Sequence, residues 1–209
     1  MKIGIIAANG KAGKLITAEA VSRGLDVTAI VRGENKTEAS KVITKDIFDL
    51  TYDDLKDFDV IIDAFGTWSN ETFPMHSTSL RHLADILSGK DNRLLVVGGA
   101  GSLYIDKEHK TRLMDTPDFP EAFMPLATAM GKALDELRKR DDVKWTYISP
   151  AADFQADGKR TGEYLLAGEE YTTNANNESL ISYADYAIAM IDEAVNGNHI
   201  QERISVLAK

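Results

Sequence analysis

Along this 209-residue chain the hydrophobic and polar positions follow two alternating periods. Short apolar, β-branched runs at residues 3–7, 26–31, 41–45, 57–65, 93–97 and 143–149 predict six strands. Helical spacing fills three of the gaps, over 12–23, 77–87 and about 125–140. The last of these carries Leu126, Met130, Leu134 and Leu137 on one stripe. Glycines punctuate the pattern: Gly24 as a helix stop, Gly66 after the fourth strand, Gly98-Gly99 after the fifth. Regular strand–helix alternation predicts a parallel sheet wound with helices on both faces.

The remaining stretches are less periodic. Residues 101–125 are polar, with prolines at 117, 120 and 125, and are long for an idle connection, so they are expected to act as a lid or binding segment. Beyond the sixth strand, closed by Pro150, strand-like pieces near 163–166 and 170–172 precede a helix at about 183–195 and a last strand at 203–207. The expectation is one Rossmann-type α/β domain over 1–209. Residues 151–209 form a small substrate-side C-terminal extension, not an independent domain.

Composition narrows the partners. The chain is 44% hydrophobic and 27% charged, with a formal charge of −9. Phosphates would be repelled by that charge, which argues against nucleic acid and anionic membrane as partners. With no cysteine, disulfides, zinc–thiolate sites and thiol nucleophiles are excluded. No apolar run is long enough to span a bilayer, and the N-terminus reads as a core strand, not a removable signal. A cytoplasmic monomer or homodimer acting on a small molecule is the expectation.

The first thirteen residues carry the clearest chemistry. A buried strand breaks at Asn9-Gly10-Lys11-Ala12-Gly13 and re-enters as a helix, the arrangement that offers unpaired N–H groups to a pyrophosphate. Ala7 stands where a first glycine would be, which is tolerable if its φ is negative. Arg32, at the end of the second strand, occupies the place of the usual ribose-binding acid and favours the 2′-phosphate of NADP, with Glu34 two residues on. Asp46-Ile47 would lie by adenine and Ala64-Phe65-Gly66 by the ribose. NADPH is therefore expected over NADH.

Catalytic groups are sparser. The literal Tyr-x-x-x-Lys match, Tyr52 to Lys56, falls between the third and fourth strands and is read as chance. In the expected place, after the fifth strand, stands Thr128-Ala-Met-Gly-Lys132, with lysine but no tyrosine, and threonine is too weak an acid to replace a phenol. Lys132 remains a candidate for touching ribose. Ser102, after Gly98-Gly-Ala-Gly101, would project toward substrate, and His109 is the one histidine with a plausible proton-donor role. His76 and His82 are six apart and complete no metal set. A nucleotide site without an acid/base pair suits hydride transfer to a reactive acceptor such as a flavin or quinone, where protons come from water.

The chain resembles the atypical short-chain dehydrogenase/reductase group, especially the NADH–flavin reductases. The matching runs are Lys2-Ile-Gly-Ile-Ile with Gly10-Lys-Ala-Gly13, Val27-Thr-Ala-Ile-Val-Arg32 and Gly98-Gly-Ala-Gly-Ser-Leu103. Trp145-Thr-Tyr-Ile-Ser-Pro-Ala151, Gly158-Lys-Arg-Thr-Gly162 and Ile181-Ser-Tyr-Ala-Asp-Tyr-Ala187 complete the set. It is similar also to biliverdin/flavin reductases and to NmrA-like proteins, some of which sense cofactor without turnover. The resemblance implies a nicotinamide near Ser149-Pro150-Ala151 and an acceptor, FMN or FAD among the options, above it. Ser102, Leu103, Phe154 and Arg160 would line the acceptor pocket.

Overall fold

The computed structural model describes residues 1–209. β1 (Lys2–Ile6), β2 (Asp26–Val31), β3 (Lys41–Thr44), β4 (Val60–Asp63), β5 (Arg93–Val97) and β6 (Lys144–Pro150) form the sheet that the apolar runs predict. The strand order is β3-β2-β1-β4-β5-β6, extended by β10 (Glu202–Leu207) and β8 (Leu165–Ala167). Every pair in it is parallel except β10 with β8. The order reverses between β1 and β4, which is the switch point where such sheets bind ligand at their carboxyl ends.

Helices cover both faces. α1 (Lys11–Ser22) and α5 (Tyr183–Asn196) pack together on one side. Their core joins Ile16 and Ala20 to Met190 and Ile191 over Ile3, Ile5 and Ile204. On the other side α3 (Met75–Ile86) lies against α4 (Met124–Leu137), with Leu80, Leu83, Leu134 and Leu137 over Ile61, Leu94 and Trp145. Buried strands with apolar side chains on both faces are what a fully covered parallel sheet requires. No helix is long and apolar enough to cross a membrane.

Several local expectations are corrected. β4 is four residues long, not the nine of 57–65. Phe58 lies in a turn and its ring fills the space beside Gly4, while the backbone N–H of Phe65 has turned to the Asp63 side chain. Pro150 does not close β6 from outside but ends it, level with Val206 of β10. In the tail, β8 covers 165–167, and Glu170 contributes only a single bridge to Tyr104. A separate two-stranded sheet, β7 (Asp153–Gln155) with β9 (Leu180–Ser182), was not expected. Residues 101–125 are folded down by short 3-10 turns at Leu113–Asp115 and Glu121–Phe123, and by hydrogen bonds from Leu113 to Leu103 and from Met114 to Gly101. The segment is a packed shoulder of the site.

Candidate functional site

The turn after β1 leaves a row of backbone N–H groups free at the start of α1. Gly10 caps α1 without using a side chain, and its N–H donates to the Ala7 carbonyl at 2.9 Å. Lys14 N–H then bonds back to Gly10, which leaves the N–H groups of Lys11, Ala12 and Gly13 without a protein partner at the positive end of the helix. A Cβ at Gly13 would stand 2.5 Å from the Ala7 carbonyl oxygen and 2.9 Å from Ala8 Cα. Only glycine lets the helix sit this close to the strand. The expectation for Ala7 is corrected: its φ is +55°, the left-handed region. A Cβ there costs about 1–2 kcal/mol, held by the surrounding turn, so alanine occupies a position whose geometry is that of glycine.

Asn9 joins this turn to the loop after β2. Its amide donates to the Glu34 carbonyl at 2.8 Å and its oxygen accepts the Lys36 N–H at 2.8 Å. The clamp fixes the loop that begins with Arg32, whose exposed guanidinium forms no ion pair within the chain. Asp46 is committed to capping the 3-10 turn Ile47–Asp49 through Phe48 N–H at 3.0 Å, and Ile47 is buried. Ala64 and Phe65 are half-buried and Gly66 is exposed at the mouth of β4.

One group at this edge has no sequence forecast. Asp63 ends β4 fully enclosed, and its carboxylate accepts the Phe65 N–H at 3.0 Å. Beside it, Ser79, His76 and Tyr147 line a cavity of about 20 Å³, the size of a water, and Ser79 Oγ has no protein partner. Burial pushes the Asp63 carboxyl up to about 6. Between the ordinary aspartate value and 6, the folded chain holds a proton that the unfolded chain has released. This group's contribution to stability therefore falls as pH rises across that window, and its full cost is present above it. Asp63→Asn should raise stability at pH 7 by about 1–3 kcal/mol and leave it nearly unchanged at pH 4. Urea unfolding at both pH values measures this, and an equal gain at both would assign the effect to packing.

The second half of the candidate site, where the sequence places an acceptor, begins beyond β5. Gly98 is buried with its α-carbon against the Tyr147 ring, and Tyr147 Oη accepts the Gly99 N–H at 3.3 Å. Burial pushes the Tyr147 phenol up to about 12 and the Tyr186 phenol well above its ordinary value. Tyr186 Oη donates to the Ile148 carbonyl at 2.7 Å. Both phenols are buried wedges under the β5 and β6 exits. Ser102 and Leu103 are buried, and Pro150 and Ala151 close β6 alongside Ser149. Beneath them Arg203, with a wholly buried side chain, donates to Ser149 Oγ at 3.3 Å and the Ser102 carbonyl at 3.2 Å, and pairs with Glu169 at 2.6 Å. Sequence reading missed Arg203. An arginine opening the last expected strand, 203–207, was the available signal.

No hydrogen bond links the three proposed catalytic residues. Lys132 points to solvent from α4. His109 pairs with Glu170 at 2.8 Å and stacks on Tyr104 at 4.5 Å, which fixes it as a brace where a mobile donor was expected. Arg160 pairs with Glu19 at 3.0 Å, more than two turns from the α1 N-terminus, so its pocket role is not formed. Phe154 is half-buried and tilts onto Tyr183 and Tyr186 at 3.9 and 4.8 Å, packed against the edge of the core beside α5. Tyr52 and Lys56 line a surface hollow with Met1, Asp59 and Arg93, by the amino ends of the strands, so the decoy pair lies at the wrong end of the sheet. No cluster of three or more His, Asp or Glu side chains could hold a metal ion.

A parallel sheet reversing at β1/β4, a glycine cradle at its carboxyl edge and a free arginine after β2 define a dinucleotide-binding protein. The family model for NAD(P)H-binding proteins matches residues 7–194, and the chain belongs to that family. The Bacillus subtilis protein YwnB is 47% identical over 100% of this chain and 99% of its own length. A crystal structure from Streptococcus pneumoniae, described as a “putative NADH-flavin reductase”, is 57% identical, covers 100% of both chains and superposes with a TM-score of 0.98. A Bacteroides thetaiotaomicron structure described as a “putative epimerase” is 37% identical over 99% of this chain and 96% of its own, with a TM-score of 0.86.

Proposed function

We propose that this protein is an NADPH-preferring reductase that passes hydride to a flat conjugated acceptor, a flavin or a quinone. The observation that carries this reading is an asymmetry in the site. The phosphate end is fully prepared, with three free N–H groups and an unpaired Arg32, whereas beyond β5 the phenols are locked in the core and the buried Arg203 is spent on Ser102, Ser149 and Glu169. Lys11, Ala12 and Gly13 would hold the pyrophosphate, and Arg32 the 2′-phosphate. A nicotinamide cofactor supplies hydride, and the balancing proton comes from solvent, so the protein's task is to bind, orient and exclude competing reactions. An epimerase reading fits less well, because Thr128 stands where that chemistry needs a phenol.

NADPH and NADH are titrated separately, and FMN and 2-methyl-1,4-naphthoquinone are then added while nicotinamide absorbance is followed. Oxidation with either acceptor is the expected result. Tight NADPH binding without oxidation across that panel would instead favour a cofactor-sensing regulator, and no binding would sink both readings. Arg32→Asp should weaken NADPH by about 10- to 100-fold, the worth of a charge-assisted contact, and NADH by much less. Equal losses would remove Arg32 from the 2′-phosphate.

A further inference from the structure

Trp68 is the most exposed large apolar side chain of the molecule, at 72%. It lies in the connection from β4 to α3, directly past Ala64-Phe65-Gly66. Such exposure is ordinary in a loose loop, but this loop is tied down. Thr67 and Thr72 hydroxyls bond to each other, Ser69 Oγ bonds to Thr72 Oγ at 2.9 Å, and Thr72 and Phe73 N–H both donate to the Ser69 carbonyl at 3.0 Å. His76 Nε2 reaches the Thr67 carbonyl at 3.3 Å, and the Phe65 ring meets His76 edge-on at 5.8 Å. The residues on both sides of Trp68 are thus held by a hydroxyl knot anchored on a buried histidine, while the indole itself stands in water.

The neighbouring shoulder behaves alike. Ile105 and Phe123, in the connection from β5 to α4, are 47% and 55% exposed although that segment is packed. Both connections leave the carboxyl ends of adjacent strands, β4 and β5, on the acceptor side of the switch point. Resting on the reductase reading above, we propose that Trp68 is the stacking platform for the acceptor and that it selects planar conjugated systems, isoalloxazine or naphthoquinone, over small carbonyl compounds. An indole offers a wide polarisable face at low cost in side-chain freedom, and a pinned backbone means that little ordering remains on binding. A flat ring needs only a face to stack on, and the hydroxyls of Thr67, Ser69 and Thr72 beside the indole are spent on one another. Stacking of this kind on one aromatic side chain changes affinity by about 5- to 100-fold.

Trp68→Ala and Trp68→Phe are compared with the unaltered protein in two assays. In turnover, Trp68→Ala should raise KM for FMN and 2-methyl-1,4-naphthoquinone by about 5- to 100-fold, with kcat within a few-fold and NADPH affinity unchanged; Trp68→Phe should recover much of the loss. In equilibrium binding to NADP⁺-loaded protein, FMN should quench indole emission saturably, and Trp68→Phe should remove that quench, because Trp145 is buried in the core. Unchanged KM and quench with NADPH still oxidised would overturn the platform and leave the reductase reading standing. A loss in NADPH affinity equal to that in acceptor affinity would assign the indole to the cofactor. Dissociation of a dimer in Trp68→Ala, with acceptor KM unchanged, would assign it to contact between copies. If no acceptor is reduced, the reductase reading falls, and the FMN quench still decides whether Trp68 binds a flat ring.

Discussion

Gly13→Ala is expected to cost this protein about 2–3 kcal/mol of stability and at least a tenfold loss in NADPH affinity. The added Cβ would meet Ala7 O at 2.5 Å, Ala8 Cα at 2.9 Å and Ala8 O at 3.0 Å, all of them backbone, so no side chain can swing aside. Relief requires α1 to move off the end of β1, and that motion strains the Gly10–Ala7 hydrogen bond and re-aims the three free N–H groups. For a chain of this length the midpoint of thermal unfolding should drop by roughly 4–12 °C. Gly10→Ala serves as the graded control, since its Cβ has one tight contact, 3.2 Å from the Ala7 carbonyl oxygen. Gly33→Ala and Gly66→Ala, where nothing lies within 4 Å, should be close to neutral for folding. A Gly13→Ala protein that melts like its parent and binds NADPH as tightly would mean that the strand–helix joint yields freely, and the cradle account would be wrong.

That joint also shows what the sequence could and could not convey. The order strand, glycines, helix is a local pattern, and the structure places α1 within one residue of where the spacing put it. β5 is found at Arg93–Val97 for the same reason, a four-residue apolar run, Leu94–Val97, opened by Arg93 and bounded by turn residues. Ala7 was misjudged because residue type is a poor guide where tertiary structure imposes the backbone: the turn holds alanine at φ +55°. β7 and β9 were missed because three residues cannot show a period of two. The overlong β4 followed from counting Phe58 as strand, when its ring packs against Gly4 from a turn.

The acceptor side was illegible for a different reason. Its parts are far apart in the chain: Ser102, Ser149, Glu169 and Arg203 meet only after β10 has inserted beside β6. Asp63 reads in the sequence as one more strand-end acid, and only enclosure makes it a proton-holding group. Arg160 looked like a pocket residue because its motif lies in the right part of the chain. Asp185 takes that loop elsewhere, accepting the Thr161 and Gly162 N–H groups at 2.9 Å, and Glu19 then captures the arginine. Motif order locates a segment, whereas the ion pairs that aim its side chains come from elements the motif does not contain.

Arg203→Met should be the most destabilising single change in the acceptor half, at about 3–5 kcal/mol. The guanidinium is wholly buried and supplies donors to Ser149 Oγ, the Ser102 carbonyl, the Glu169 carbonyl and the Glu169 carboxylate. Methionine fills comparable volume but leaves those acceptors unmet, and Glu169 keeps only Arg138, whose side chain is part-exposed, at 2.6 Å. Burial raises the Glu169 pKa, and the two arginines more than offset it and hold the group below the ordinary glutamate value, so losing the buried one should return its proton at a higher pH. The cost therefore comes mainly from the stranded carboxylate, and that is separable. Arg203→Met combined with Glu169→Met should recover more than half of the loss in urea unfolding, because an apolar pair leaves no unpaired charge buried and the part-exposed Arg138 can turn to water. Lysine at 203 should fall between, keeping a charge but not the fork that reaches two segments at once. If the double variant is as unstable as the single one, the cost lies in the lost Ser102 and Ser149 contacts instead, and acceptor KM should then rise in both variants together.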